Sequence, residues 1–210
     1  MYIPQAFEEE RLPVLHELIR SQPFCSFVTM GASGLFASHI PMVLHADEGS
    51  LGVLHGHISR ANTQWRDFNP DVQALAIFTG AHHYISPSWY PEKSEHGKVV
   101  PTWNYAVVHA YGNLRTIERA EWLSAHLREL TDRHESVGRE PWKVTDAPAD
   151  FIESMLNGIV GLELTITRLE GKWKMSQNRS ERDRKGVIEG LEDLNSPGSL
   201  AMKKLVTDRL

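Results

Sequence analysis

Cysteine and positive charge are both scarce in this 210-residue chain. Cys25 is the only cysteine, which excludes a disulfide within the chain and a zinc site built from several cysteines. The 22 lysine and arginine residues are outnumbered by 27 aspartate and glutamate residues, so the formal net charge is -5. Proteins that hold nucleic acid mainly by charge need a basic face, and this composition argues against that class.

Long apolar runs are missing as well. Residues 21–46 contain no charged side chain, but proline, glycine and polar residues interrupt them before they reach the roughly 20 apolar residues of a membrane helix. The N-terminus, MYIPQAFEEER, turns acidic at once, whereas a secretory signal has a basic segment followed by an apolar one. We therefore expect a cytoplasmic protein with no membrane partner.

Several motifs of enzyme chemistry are also missing. The sequence has no G-x-S-x-G, no Walker loop and no G-x-G-x-x-G. His55 and His57 match the opening of a cupin metal motif, but the glutamate that should follow is replaced by Ala61 or Asn62. We predict no metal site, and we expect Cys25, in its apolar segment, to be a buried and unreactive thiol.

Alternating apolar patterns predict a mainly β protein with peripheral helices, of the α+β class. The predicted strands are 24–30, 35–46, 50–58, 72–80, 102–117 and 158–177. Helices are predicted over 118–134 and 145–158, and the tail after residue 178 has helical periodicity that breaks at residues 196–198. Mostly consecutive strands favour a small closed barrel over a doubly wound parallel sheet. We expect a single domain, 1–210, with barrel strands in 24–117 and 158–177, helices in 118–157 and a helical tail in 180–210.

One candidate site follows the predicted strand 50–58. Ser59, Arg60 and Asn62 place a hydroxyl, a guanidinium and an amide at the strand end, before a short predicted helix, 61–68. Such donors, with free backbone N–H groups, suit a phosphate. The alternative is a solvated turn with an ordinary helix cap.

Two further segments combine aromatic or amide groups with cations. Residues 82–105 are rich in tyrosine and tryptophan and include Lys93 and Lys98, which suits a planar anionic ligand; a long loop held by its own rings is the alternative. At the end of the last strand, Lys174, Gln177 and Arg179 could meet ring carbonyls or a phosphate. That strand could equally be a solvated edge protected by lysine.

Long ordered motifs resemble the PaiB-type family, whose members are described as FMN-binding negative transcriptional regulators. The motifs are MYIP, ASHIPMVL (37–44), GHISRANTQW (56–65), HHYISPSWYP (82–91), HGKVVPTWNYAVVHAYG (96–112), LTDRHE (130–135) and LEGKWKMSQNR (169–179). The resemblance covers residues 1 to about 190 and implies an FMN-binding split β-barrel. It also implies a homodimer with FMN bound between the subunits.

The resemblance also implies roles for individual residues. The phosphate would be held by His57, Ser59, Arg60 and Asn62. The isoalloxazine and ribityl chain would lie beside Ser38, His39 and Ile40, and the ring face would be covered by Trp103 and Asn104. Residues reaching the cofactor across the dimer would be Lys174, Ser176, Gln177 and Arg179. Thr63 stands where the family pattern often has proline, which should change the stiffness of this loop more than its chemistry.

Three functions remain open from the sequence. The first is an FMN-binding negative transcriptional regulator, the second an FMN-dependent oxidoreductase or flavin reductase, and the third a heme-binding split barrel. Direct DNA binding is doubtful, because the best two helices are separated by a long segment rather than a tight turn. The only basic cluster, 179–185, is interleaved with Glu181 and Asp183.

Overall fold

The computed structural model describes residues 1–136 and 138–210, which divide into two compact units. Unit 1 contains residues 1–18, 79–109 and 170–210, and unit 2 contains residues 19–78 and 110–169. The single-domain assignment stays a prediction. In the described residues, no helix has both the length and the apolar character needed to cross a membrane.

The described strands belong to one sheet, and helices follow them late in the chain. The strands are β1 (Glu8–Glu9), β2 (Phe24–Gly31), β3 (Gly34–Pro41), β4 (Val43–His45), β5 (Val53–Ser59), β6 (Ala74–Ile85), β7 (Thr102–Ile117) and β8 (Ile159–Lys174). The helices are α1 (Leu12–Ser21), α2 (Gln64–Asp67), α3 (Lys93–His96), α4 (Ala120–Glu135), α5 (Ala149–Asn157), α6 (Glu181–Leu194) and α7 (Pro197–Thr207). The strand order is β3-β2-β6-β7-β8-β5-β4, with β1 on β8. The α+β class is confirmed.

Among the elements that differ from the predictions, two strands do so for a local reason. The predicted strand 35–46 divides into β3 and β4, because Pro41 has no N–H to donate and the Met42 N–H bonds the Pro23 carbonyl instead, at 2.9 Å. The final strand ends at Lys174, since Ser176 has a φ of 62° and cannot continue an extended chain. The predicted helix 61–68 is only the single turn of α2.

In unit 2, the β2–β3 hairpin pairs Ser26 with His39 and Phe27 with Ser38, and β5 pairs antiparallel with β8. Side chains alternate across the hairpin, so Cys25 and Phe27 are buried whereas Phe24 is exposed. Buried Gln64 fastens α2 to the hairpin, because its Nε2 donates to the Phe27 carbonyl and to Thr29 Oγ1, both at 3.2 Å. The loop between β5 and α2 is therefore held in place.

In unit 1, α6 and α7 form a helical pair that follows β8. Ser196 caps α7 by accepting from the Ser199 N–H, and Pro197 occupies its first turn. The predicted break at residues 196–198 is therefore confirmed. At the other end of the chain, β1 pairs with β8 through Glu8 and Lys172.

Candidate functional site

A cavity in unit 2 collects residues from β3, β5 and the loop after β5. Its volume is about 590 Å³, and we call it the β3–β5 cavity. Its lining includes Ser38, His39, Ile40, His57, Ser59 and Asn62, together with Ile58, Met155, Gly158 and Ile159. The structure thus brings together six residues that the family resemblance assigned to two different parts of one cofactor site.

The polar walls of this cavity are cross-linked by hydrogen bonds. Asn62 Nδ2 donates to Ser38 Oγ at 3.0 Å, which ties the loop after β5 to β3. Asn62 Oδ1 accepts from the Gln64 N–H at 3.0 Å, and Ser59 Oγ accepts from the Ala61 N–H at 3.3 Å. The serine hydroxyls keep their own protons for donation. The cavity therefore offers donors that carry no charge.

Arg60 is outside this lining. Its Nε donates to the Asn157 carbonyl at 2.9 Å, its Nη2 to the Ile159 carbonyl at 3.1 Å, and its Nη1 to Glu118 at 2.5 Å. The backbone N–H of Arg60 is also occupied, because it donates to the Gly158 carbonyl at 2.8 Å. The free N–H groups that the sequence predicted at this turn are thus partly consumed by the fold. The cation expected to meet a phosphate is paired with Glu118.

A histidine cluster behind His57 was missed by the sequence analysis. His57 Nδ1 lies 3.1 Å from Nε2 of His126 on α4. The His126 ring stacks on Trp122, with centroids 5.4 Å apart, and His55 meets Trp122 edge-on at 4.9 Å. Burial lowers the pKa of His57, and burial together with the neighbouring histidines lowers the pKa of His126 to about 3.

Sequence patterns bring together only two histidines of this cluster, those on β5. The spacing of His55 and His57 places both on one face of β5, but His126 comes from a helix that starts more than 60 residues later. Its i, i+4 spacing from Trp122 could have indicated a shared helix face. In the described residues, no group of three histidine, cysteine or acidic side chains has the arrangement of a metal site.

The predicted residues near the end of β8 lie in unit 1. Lys174, Ser176 and Arg179 line a second cavity, of about 230 Å³. Lys174 Nζ donates to Thr102 Oγ1 and to the Trp103 carbonyl, and burial together with Lys172 and Arg179 lowers its pKa. The Arg179 guanidinium lies over the Tyr90 ring, 4.8 Å from its centroid.

Two predicted amides are engaged in internal hydrogen bonds. Asn104 is fully buried, and its Nδ2 donates to Ser176 Oγ at 2.9 Å. Gln177 bonds backbone groups of the same strand end, since its Nε2 donates to the Trp173 carbonyl at 2.6 Å. In the present arrangement these side chains support the turn after β8.

Trp103 has a different environment. Its side chain is 52% exposed and lines a third cavity, of about 410 Å³, with His82 and Tyr105. Its ring centroid lies 5.7 Å from that of His82. Of the predicted aromatic segment, this ring is therefore open to contact with a ligand.

Comparison with solved structures identifies the fold. The flavocytochrome Anf3 of Azotobacter vinelandii superimposes with a TM-score of 0.59 over 82% of this chain and 72% of that chain, at 12% sequence identity. At that identity the likeness concerns the fold alone. It confirms the predicted split β-barrel class with peripheral helices.

Sequence comparison identifies the family. A family model described as "Putative FMN-binding domain" matches residues 1–168. The protease synthase and sporulation protein PAI 2 of Bacillus subtilis is 32% identical over 210 residues, which cover 100% of this chain and 98% of that protein. A protein of Emericella nidulans without an assigned function is 36% identical over 244 residues, covering 100% of this chain and 97% of that protein. The PaiB-type resemblance and FMN as the family's cofactor are thus confirmed, and the chain belongs to the FMN-binding domain family.

Proposed function

We propose that this protein binds FMN in the β3–β5 cavity. The observation that carries the proposal is the convergence of Ser38, Ile40, His57, Ser59 and Asn62 on one cavity of about 590 Å³. Ligand sites of small molecules and cofactors typically enclose about 300 to 1,000 Å³ and combine apolar walls with a few placed donors. The residues present therefore fit this cofactor in size and in chemistry.

Each wall of the cavity has a distinct task in this proposal. The hydroxyls of Ser38 and Ser59 and the amide of Asn62 donate to oxygens of the phosphate and ribityl chain. Ile40 and Met155 supply apolar surface for the ring system. When bound, FMN supplies hydride or electron transfer, and the protein supplies orientation and electrostatics.

The absorption spectrum of the purified protein tests this proposal, followed by titration of FMN into the apoprotein. We expect a flavin spectrum, or saturable uptake of FMN, and we expect Asn62→Ala to weaken the affinity by about tenfold, as the loss of one or two hydrogen bonds implies. Ser94→Ala, at an exposed position in unit 1, is the control. A colourless protein that takes up no FMN contradicts the proposal, and a heme spectrum favours the heme-binding alternative.

We further propose that the protein is a homodimer in which the turn after β8 of one subunit reaches the cofactor of the other. One face of the β2–β3 hairpin supports an interface, because it exposes Phe24 (65%), Leu35 (74%) and Met30. His39, on the same face and paired with Ser26, also lines the β3–β5 cavity. Exposed apolar patches of this kind mark interaction surfaces.

Light scattering coupled to size-exclusion chromatography tests the dimer. The wild type is expected at twice the mass of the chain, and Leu35→Glu at the mass of one chain, because a buried unpaired charge is costly in an interface. Val72→Glu changes another exposed apolar residue outside the hairpin and should leave the mass unchanged. A monomeric wild type would overturn the proposal.

We propose a cytoplasmic regulatory role that does not depend on DNA contact by the cluster 179–185. The structure supports this view, because Arg182 pairs with Glu95, Lys185 pairs with Glu181 at 2.7 Å, and Arg184 donates to the Arg209 carbonyl at 2.7 Å. A gel-shift assay at physiological salt should show no discrete complex. A sequence-specific complex that is lost on Lys185→Ala would contradict the proposal. In a separate assay, steady oxidation of NADH or NADPH by the FMN-loaded protein would favour the oxidoreductase alternative.

A further inference from the structure

The wall of the β3–β5 cavity is connected to the buried histidine cluster by a hydrogen bond. His57 lines the cavity, and its Nδ1 lies 3.1 Å from His126 Nε2. His126 is buried, and its other ring nitrogen, Nδ1, has no hydrogen-bond partner in the part of the chain that the structure describes. The bond therefore has two possible directions: if His57 Nδ1 donates, His57 Nε2 is an acceptor, and if His57 Nδ1 accepts, His57 Nε2 is an N–H donor.

The surroundings of His126 include titratable groups from each neighbouring element. β5 contributes His57 and His55, and β4 contributes His45, whose ring centroid is 4.1 Å from that of His55. The acids pair with the other histidines: Glu129 of α4 lies 3.4 Å and Glu48 lies 3.6 Å from His45. Glu163 of β8 lies 3.5 Å from His55 and accepts from Arg115 at 2.6 Å. The acids thus pair with other members of the cluster, and within the described residues the side chain of His126 has only the His57 ring as its hydrogen-bond partner.

The direction of the bond follows from the unpartnered Nδ1 atom of His126. If His57 donates from Nδ1, then His126 must carry its proton on Nδ1, which leaves a buried N–H without an acceptor. If His126 donates from Nε2, its Nδ1 atom has no proton, and only the lone pair of that atom is left without a partner. Orphaned buried N–H groups are the rarer defect in folded proteins. The second arrangement also places both rings in the Nε2–H form, the intrinsically preferred tautomer of neutral histidine.

We infer that His126 is a positioning residue that holds His57 as the Nε2–H tautomer, so that His57 presents a hydrogen-bond donor to an oxygen atom of the ligand in the β3–β5 cavity. The inference rests on the proposed function for the identity of that ligand, FMN. The direction of the hydrogen bond between His126 and His57 is set in the free protein, so it can be measured without a ligand. The cavity then has three uncharged hydrogen-bond donors, from His57, Ser38 and Ser59.

The tautomer is measured directly by long-range proton–nitrogen NMR on protein labelled with nitrogen-15 at histidine, without FMN and at pH 7.5. We expect the His57 signals to report a bare Nδ1 and a protonated Nε2, with assignment by their loss in His57→Asn. A protonated Nδ1 in His57 overturns the inference. If the tautomer is as inferred while FMN does not bind, the proposed function fails and the positioning role stands.

FMN affinity tests the consequence for the ligand. His126→Leu removes the donor to His57 Nδ1, and we expect a loss of affinity of about tenfold, the value of one hydrogen bond. His126→Gln keeps an N–H at a similar reach and should restore affinity to within a few-fold of wild type. In a His57→Phe background, His126→Leu should have no further effect. A merely structural role predicts equal losses in both backgrounds, and that result, or unchanged affinity in His126→Leu, would contradict the inference.

Discussion

At the scale of single residues, Arg60 has two competing partners. The structure pairs it with Glu118 and two carbonyls, whereas the family resemblance assigns it to a phosphate. A phosphate that displaces Glu118 gains a bidentate, charge-assisted contact. Arg60 therefore links the proposed cofactor site to the start of α4.

We expect Arg60→Ala to weaken FMN binding by about ten- to a hundredfold, since a hydrogen bond to a charged group contributes about 1.5 to 3 kcal/mol. Glu118→Gln weakens the pairing of Arg60 with residue 118, and it should strengthen FMN binding a few-fold. Parallel titrations with FMN and riboflavin measure both effects, because riboflavin lacks the phosphate and its affinity should not change. The control is Arg66→Ala, which removes a neighbouring exposed arginine that stacks on Trp65. Equal effects on FMN and riboflavin would refute the assignment of Arg60 to the phosphate.

At the scale of elements, α6 needs a glycine at position 186, where the backbone at Trp89 lies close to the helix. A Cβ atom on Gly186 would lie 2.0 Å from the Trp89 carbonyl oxygen, a backbone atom that cannot rotate away. A Cβ atom on Gly198, in the first turn of α7, would have no atom of the described residues within 4 Å apart from its chain neighbours and its own helix. The two glycines therefore form a matched pair for testing the approach of this helix.

Gly186→Ala is expected to lower the free energy of unfolding by about 1 to 3 kcal/mol, the usual cost of overpacking. Gly198→Ala should leave it unchanged or raise it by about 0.4 to 1 kcal/mol, because alanine reduces the entropy of the unfolded chain. Urea denaturation followed by circular dichroism measures both. Equal stabilities of the two variants would show that Trp89 does not pack closely on α6.

At the scale of the whole molecule, buried ionised and neutral groups set the response to pH. Glu9 is buried and accepts from Arg11 at 2.8 and 2.6 Å, and from Arg209 near the C-terminus. The bonds from Arg11 are the largest cause, and with that from Arg209 they lower the pKa of Glu9 to about 2. Since the folded pKa is below the unfolded value, this carboxylate stabilises the fold above pH 4.5, and the stabilisation is lost as the pH falls towards 2.

We expect Glu9→Gln to be less stable than the wild type at pH 7 and to lose less stability between pH 5 and pH 3. Glu10→Gln, at the exposed neighbouring position, should reproduce the wild-type profile. Thermal denaturation across this pH range measures the difference. Parallel profiles of the wild type and Glu9→Gln would mean that Glu9 is not paired in the folded protein.

His126 affects stability over a higher pH range. Its folded pKa of about 3 lies below the unfolded value of 6.5, so stability is lost as the pH falls from 6.5 towards 3.

Local patterns in the chain were sufficient for much of this description. Alternation predicted β5 and placed His57 and Ser59 at its end, and the apolar setting of Cys25 predicted a buried thiol, whose pKa burial raises to about 12. These features depend on neighbours a few residues away. The strand break at Met42 and the left-handed Ser176 were not foreseen, because they depend on hydrogen bonds and turns that the alternation of side chains does not encode.

By itself, the sequence determined the fold class, the family and the set of residues at the end of β5. Periodicity and local spacing carry the fold class and the strand end, since they reflect which side chains are buried and where a strand ends; the family follows from the long ordered motifs. Only the tertiary structure decided the partners of those residues. Arg60 meets Glu118, and His57 meets His126, because long-range packing brings α4 against the sheet, where Gly161 leaves room for Trp122. Contacts between residues more than 50 positions apart depend on the folded arrangement of several elements, and no local pattern specifies them.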